Sequence, residues 1–234
     1  MKKILFAFAF ASVLWSCKTV NTSSNTAKAS KQEVQVTINL NEVKDDKVMV
    51  TVQAPKINAD AINFHIPKTV PGTYSTDNYG KYIEDFKAYD AKGNLLTVKK
   101  ADDNTWMISN AKSLNKISYL VNDTFDSEKG SGFGNDDVFS PAGTNISPEN
   151  YMLNTHGFVG YFTNYMNVPY KVSVSHPATL WGATSMIDQD SSTTNDVFVT
   201  SRYAELVENP IMYAKPDYTT FTVDGMEILI AVYS

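Results

Sequence analysis

From Val34 the chain alternates strictly: Val34, Val36, Ile38 and Leu40 fall on one side, Gln35, Thr37 and Asn39 on the other. A period of two marks a half-buried β-strand, whose successive side chains point to opposite faces. Val48, Val50 and Val52 repeat the pattern after Lys44-Asp45-Asp46-Lys47, so the two runs predict a hairpin with one dry face. Further strands are predicted over 61–66, 83–89, 95–99, 105–109, 116–121, 170–175, 197–201, 219–223 and 226–233, the last two joined by Asp224-Gly225. Helical periodicity is nearly absent; residues 201–207 predict two turns at most. Many short strands between turn signals predict an all-β fold, either an antiparallel β-sandwich or a partly open barrel, with long loops. No repeat of fixed period is present. Residues 123–150 break the rhythm: they are rich in Gly, Asp, Ser and Pro and too long for a hairpin loop, which predicts a long loop over one end of the sandwich. Glu227 to Ser234 reads as an apolar strand at whose end the chain stops, and a truncation before a further domain is expected there.

The first residues follow a different logic. Lys2-Lys3 supply a positive start, and Ile4 to Trp15 form an apolar run too short for a stable membrane span. Leu14-Trp15-Ser16-Cys17 then places a small residue before the only cysteine, which resembles a bacterial lipobox; the alternative is an ordinary secretory signal with an incidental thiol. A lone thiol gives an exported protein no disulfide, which favours lipid attachment at Cys17. Residues 1–16 are therefore expected to be a signal peptide, 17–32 a flexible Thr/Ser/Asn/Ala/Lys tether, and 33–234 the β-domain. The expected location is the bacterial cell envelope, outside the cytoplasm and lipid-anchored.

Composition sharpens this picture. The 234 residues are 43% hydrophobic and 12% aromatic, enough for a sizeable core and against wholesale disorder. Net charge is −5, and loss of Lys2 and Lys3 takes the mature chain to about −7. No basic stripe is available for phosphates, so nucleic acid is excluded as a partner.

Candidate chemistry is sparse. A zinc protease needs two histidines one helical turn apart with a glutamate beside them to activate water. The three histidines, His65, His156 and His176, are far apart in sequence and none adjoins a Glu, so a metal centre would need all three gathered by the fold. Ser131 lies between glycines but lacks the strand–turn–helix context of a nucleophile elbow. Gly130-Ser-Gly-Phe-Gly134 is followed by Asn135-Asp136-Asp137, which would repel phosphate. Asp188-Gln-Asp190-Ser-Ser192 opens like a calcium loop, yet Thr193 and Val199 stand where glycine and glutamate are required. Asp126, Asp136 and Asp137 leave calcium in the long loop as an open alternative.

The most informative stretch runs from Val70-Pro-Gly-Thr-Tyr74 through a tyrosine-rich passage and Phe86 to the turn Asp90-Ala-Lys-Gly-Asn94. Pro71 presets φ and Gly72 supplies positive φ for a tight turn. Asn154-Thr-His-Gly-Phe-Val-Gly-Tyr-Phe162, His176-Pro-Ala-Thr-Leu-Trp-Gly-Ala-Thr184, and Tyr203 to Tyr213 with Lys215-Pro-Asp217 follow in order. Together they resemble the N-terminal domain of the glycyl aminopeptidases, family sixty-one of the metallopeptidases. The resemblance runs from about Val34 to Ser234, and departs from the family pattern at Asn209, where an Asp often precedes the proline. It implies an exported zinc aminopeptidase that removes N-terminal residues, typically glycine or alanine, with zinc and a glutamate-activated water held by a later domain. This chain would be that enzyme's non-catalytic scaffold, its partners the catalytic domain of the same polypeptide, a peptide substrate and a membrane. Asn154, His156 and Gly157, leading into Phe158, Tyr161 and Phe162, and the segment with Glu208 and Asn209 are the expected substrate-cleft or domain-junction residues. The other outcome for both segments is that the aromatics are core and the polar residues cap turns. A second functional reading uses the ring faces of Tyr74, Tyr79, Tyr82 and Trp181: a self-contained surface lipoprotein that binds glycan or peptide.

Overall fold

The computed structural model describes residues 32–73, 75–125, 138, 140–215 and 217–233. Cys17 and the leader and tether up to residue 31, Tyr74, the Gly130–Gly134 run, Ser131, and Asp126, Asp136 and Asp137 lie outside the described residues. In chain order the strands are β1 (Val34–Lys44), β2 (Lys47–Gln53), β3 (Ala61–His65), β4 (Ile83–Asp90), β5 (Leu95–Leu96), β6 (Val98–Asp102), β7 (Thr105–Ser109), β8 (Leu114–Asn122) and β9 (Asn145–Ser147). After these come β10 (Asn150–Leu153), β11 (Tyr161–Phe162), β12 (Tyr170–Ser175), β13 (Trp181–Ala183), β14 (Asn195–Thr200), β15 (Ile211–Ala214), β16 (Tyr218–Val223) and β17 (Met226–Ala231). Two short helices, α1 (Thr155–Phe158) and α2 (Tyr203–Val207), lie among them.

The alternation read at Val34 is the alternation of burial: Val34, Val36, Ile38, Leu40, Val48, Val50 and Val52 all lie in the core. Asp45 and Asp46 both have positive φ, 51° and 54°, the two central residues of a tight hairpin turn whose twist matches its strands. From this hairpin a seven-stranded sheet grows in the order β14-β12-β1-β2-β8-β4-β5. Register places Phe198, Val172, Val36, Val52, Ile117 and Ala88 in one row across it, every one buried. The expected antiparallel pattern has one departure: β1 pairs with β12 in parallel.

A four-stranded sheet, β11-β3-β7-β6, packs on the large sheet through aromatic rings. Phe64 of β3 lies 5.8 Å from Tyr119 of β8, 5.6 Å from Phe86 of β4 and 5.0 Å from Phe162 of β11. Tilted and edge-on rings at these separations bring attraction beyond their buried area. A second four-stranded sheet, β13-β15-β10-β9, buries Tyr151, Leu153, Ile211 and Tyr213. Among the described residues none of the sheets closes on itself, so the fold is an all-β sandwich and not a closed barrel. The hairpin β16–β17 forms a sheet of its own.

Residues 123–150 are not wholly loop. A 3₁₀ turn (Ser140–Ala142), β9 and the first residue of β10 fall inside them. Thr124 explains part of this order, since its backbone amide donates to the Thr144 carbonyl at 3.1 Å and its hydroxyl accepts from the Thr144 amide at 2.8 Å. The predicted strand 95–99 is two strands, with Thr97 between them.

Candidate functional site

Val70-Pro71-Gly72-Thr73 forms the turn that its sequence predicts. The Thr73 amide donates to the Val70 carbonyl at 3.3 Å, the Thr73 hydroxyl donates to the same oxygen at 2.8 Å, and Gly72 has φ 93°. At the base of this loop the Asn78 amide donates to the Lys68 carbonyl at 3.0 Å. The buried Asp77 carboxylate accepts from the Tyr79 hydroxyl at 2.8 Å and from the Ser75 hydroxyl. Tyr79 then meets His156 edge-on, with ring centroids 4.5 Å apart.

His156 lies on α1, a single turn whose four residues are all buried. Its Nε2 is 3.1 Å from the Ala142 carbonyl. A carbonyl only accepts, so Nε2 carries the proton and the ring is held between the 140s segment and Tyr79. Burial pushes His156 below the ordinary histidine range, opposed by the Ala142 carbonyl and the Asp77 charge. Asn154 precedes the helix but does not cap it with its side chain; its Nδ2 donates instead to the carbonyls of Gly143 and Pro141. Gly157 is pressed between Thr144 and Tyr79, and a Cβ there would meet Thr144 Cγ2 at 3.1 Å. The Thr155 hydroxyl donates to the Leu206 carbonyl at 2.8 Å and the Tyr203 hydroxyl to the Val159 carbonyl at 2.6 Å. These two bonds strap α1 to α2.

The result is a cleft of about 810 Å³ whose walls are the loop 67–73 on one side and α2 with its following residues on the other. Asn154, His156 and Glu208 line it together with Val70, Pro71, Tyr161 and Pro210. Gly157 lies behind this lining, where it lets Tyr79 and Thr144 approach. Asn209 is not in the lining: its Oδ1 accepts from Ser185 and its Nδ2 donates to the Glu205 carbonyl at 2.6 Å. An aspartate there would set a carboxylate oxygen against that carbonyl, which gives a physical reason for asparagine in this chain. Phe158 and Phe162 belong to the core, while Asn154 and His156 line the cleft.

The polar groups of the cleft are largely taken up by the fold. Thr73, Asn154 and the His156 Nε2 are committed to backbone carbonyls, and the charged groups, Lys68 and Glu208, are both exposed. Proline and aliphatic side chains supply much of the rest.

The other two histidines are placed elsewhere. His65 on β3 bonds the Thr163 hydroxyl at 2.8 Å and the Thr105 hydroxyl at 3.2 Å. His176 bonds the Pro177 carbonyl at 3.1 Å and Asp196 at 3.3 Å, and Asp196 also accepts from the Tyr213 hydroxyl at 2.7 Å. Among the described residues no group of three His, Cys, Asp or Glu side chains is placed to hold a metal ion, so the residues present do not fit a zinc centre. Asp188 and Asp190 turn their carboxylates onto the amides of Asp190, Val197 and Ser192, as acidic turn residues do without a cation. Of the four rings put forward for glycan stacking, Tyr79 is in the core and Trp181 stacks on Tyr218 at 4.3 Å. No helix among the described residues is long and apolar enough to cross a membrane.

Residues 35–215 match the model of the Peptidase M61 N-terminal domain, and the chain belongs to that family. Among solved structures, the chain is similar to an aminopeptidase N family protein from Idiomarina loihiensis, with a TM-score of 0.72 at 15% identity, over 86% of this chain and 32% of that one. It also overlaps a mutant M1 zinc metallopeptidase from Deinococcus radiodurans bound to a Tyr-Ser-Ala substrate, with a TM-score of 0.46 at 9% identity over 85% of this chain and 46% of that one. The chain thus spans about a third of the length of the first of these structures. A search of curated protein sequences returns no match.

Proposed function

We propose that this chain is the non-catalytic N-terminal β-domain of an exported zinc aminopeptidase of the glycyl-aminopeptidase type, and that it provides one wall of the substrate cleft beside a catalytic domain of the same polypeptide. Zinc belongs to that catalytic domain in this reading. The observation that carries it is the convergence of two stretches bearing the family resemblance, the Val70–Thr73 turn and the Asn154–Gly157 segment, on one cleft with Glu208 at its rim. A wall built of proline, aliphatic and carbonyl groups complements a peptide backbone and small side chains, and leaves hydrolysis to groups brought by another domain. Purified residues 18–234 should release no glycine or alanine from peptide amides and should bind no stoichiometric zinc. Turnover that rises and falls with bound zinc would sink the proposal.

The same reading places the domain at the cell envelope, held by lipid on Cys17. Radiolabelled palmitate should enter the wild-type chain and leave Cys17→Ala unlabelled and in the soluble fraction; equal labelling of both would count against the anchor. The glycan-binding alternative loses support from the packing of Tyr79 and Trp181 described above.

A further inference from the structure

Between Lys171 and Arg202 the chain carries three aspartates, Asp188, Asp190 and Asp196, and no lysine or arginine. This stretch shapes another cavity, of about 470 Å³, which shares no lining residue with the candidate site. Its apolar lining includes Leu180, Trp181 and Met186, and its ionisable lining is Asp188, Asp196 and His176. Among the described residues no lysine or arginine reaches it.

The two carboxylates act on one space. Asp196 Oδ1 lies 3.3 Å from His176 Nε2 and Oδ2 accepts from the Tyr213 hydroxyl at 2.7 Å, and the Asp188 charge is felt by both of these partners. A carboxylate offers roughly four acceptor positions. Asp196 uses one on each oxygen, and Asp188 uses two on Oδ1, for the amides of Asp190 at 2.9 Å and Val197 at 2.7 Å. Both side chains therefore keep acceptor capacity. Gly182 of β13 preserves it at Asp196: a Cβ there would fall 2.5 Å from Oδ2, so the missing side chain leaves that oxygen uncovered.

We infer that this cavity is a binding site for an organic cation, a primary ammonium on a short alkyl stem, with the ammonium donating to Asp188 and Asp196 and the stem lying against Leu180, Trp181 and Met186. An ammonium has three donors and no acceptor, which matches a site whose spare capacity is all acceptor. Tryptophan is the ring that attracts a cation most strongly. Phosphate or carboxylate would meet like charge here. A bare metal ion is poorly served, because three of the four carboxylate oxygens already hold protein donors, and among the described residues no group of three His, Cys, Asp or Glu is set for one. Every lining group belongs to this chain, so the site is independent of the reading under Proposed function.

Titration of the isotope-labelled 234-residue chain with n-butylammonium should move the Trp181 indole N–H, Met186 methyl and His176 ring signals, with a dissociation constant of about 1 mM. Butan-1-ol, the neutral isostere, should bind at least about tenfold more weakly, which is the share of affinity carried by charge. Asp188→Asn keeps an oxygen for the two amides and loses the charge; it should weaken butylammonium binding at least about fivefold and melt within about 2 °C of wild type. Equal affinity for butylammonium and butan-1-ol would overturn the site without recourse to any variant, as would equal affinity of wild type and Asp188→Asn. Calcium that binds more tightly than butylammonium would overturn the organic occupant. Nα-acetyl-lysine amide carries the same head and stem on a peptide unit: tighter binding than butylammonium would place the natural source in a lysine side chain, and weaker binding in a free amine.

Discussion

Alanine at position 160 is expected to destabilise the domain by about 3 kcal/mol, the upper end of overpacking penalties. Gly160 links α1 to β11, and its φ is unremarkable, so the demand there is for space alone. A Cβ would fall on the His65 carbonyl oxygen and 2.6 Å from two ring carbons of Phe64. Neither neighbour has room to yield. His65 is fixed by its pairing with Tyr161 and Thr105, and the Thr163 amide donates to the Asn63 carbonyl at 3.0 Å on the same pair of strands. Phe64 is fully buried and wedged against Phe86, Tyr119 and Phe162. For a chain of this size a loss of about 3 kcal/mol lowers the melting temperature by roughly 6–12 °C. Thermal unfolding followed by circular dichroism reads this directly; a shift within about 2 °C of wild type would show that the contact relaxes freely. Because Tyr161 lines the cleft, the variant should also disturb the candidate site.

The sequence announced that glycine only as part of a family motif, and the contrast with Val34–Gln53 is instructive. In β1 and β2 one face is dry and the other wet, so burial and periodicity carry the same information, and the hairpin was legible residue by residue. In β10 the burial runs nearly unbroken over Asn150, Tyr151 and Leu153, because both of its faces are covered, and no alternation marks it. The strands β9, β11 and β13 have two or three residues, too few for any period. The parallel pairing of β1 with β12 joins segments more than a hundred residues apart, a distance that local patterns do not span. The same limit governs the site. Its turn chemistry was written in Pro71 and Gly72, and its residues in Asn154, His156 and Glu208, but their meeting depends on Thr155 and Tyr203 bonding across the fold and on the Tyr79 ring packing against His156. Asn209 shows the converse: a neighbour in sequence that the local turn directs away from the cleft.

Removal of the Asp196 carboxylate is expected to cost about 3 kcal/mol at mildly acidic pH and clearly less in alkali. Asp196→Ala leaves the fully buried Tyr213 hydroxyl without its acceptor and takes from His176 the partner of its Nε2. Both nitrogens of His176 face acceptors, the Pro177 carbonyl and Asp196, an arrangement that satisfies an imidazolium completely. Burial alone would lower this histidine; its bonds to Asp196 and Pro177, and the charges of Asp196 and Asp188, outweigh burial and raise it. A group raised on folding above its unfolded value of about 6.5 adds stability that is complete below that pH and is lost as pH climbs through the folded value. His65 and His156 run the other way, since burial lowers both. As pH falls below about 6.5 the unfolded chain takes up their protons first, and stability drops. That loss is common to wild type and variant, so it cancels in their difference. Urea titrations of both proteins from pH 5 to pH 9 should therefore give a gap that narrows as pH rises. Asp196→Asn retains an oxygen for Tyr213 and no charge for His176, and should lie near wild type in alkali and between wild type and Asp196→Ala in acid. A gap that stays flat, or widens with pH, would show that His176 is neutral in the fold and that Asp196 serves Tyr213 alone.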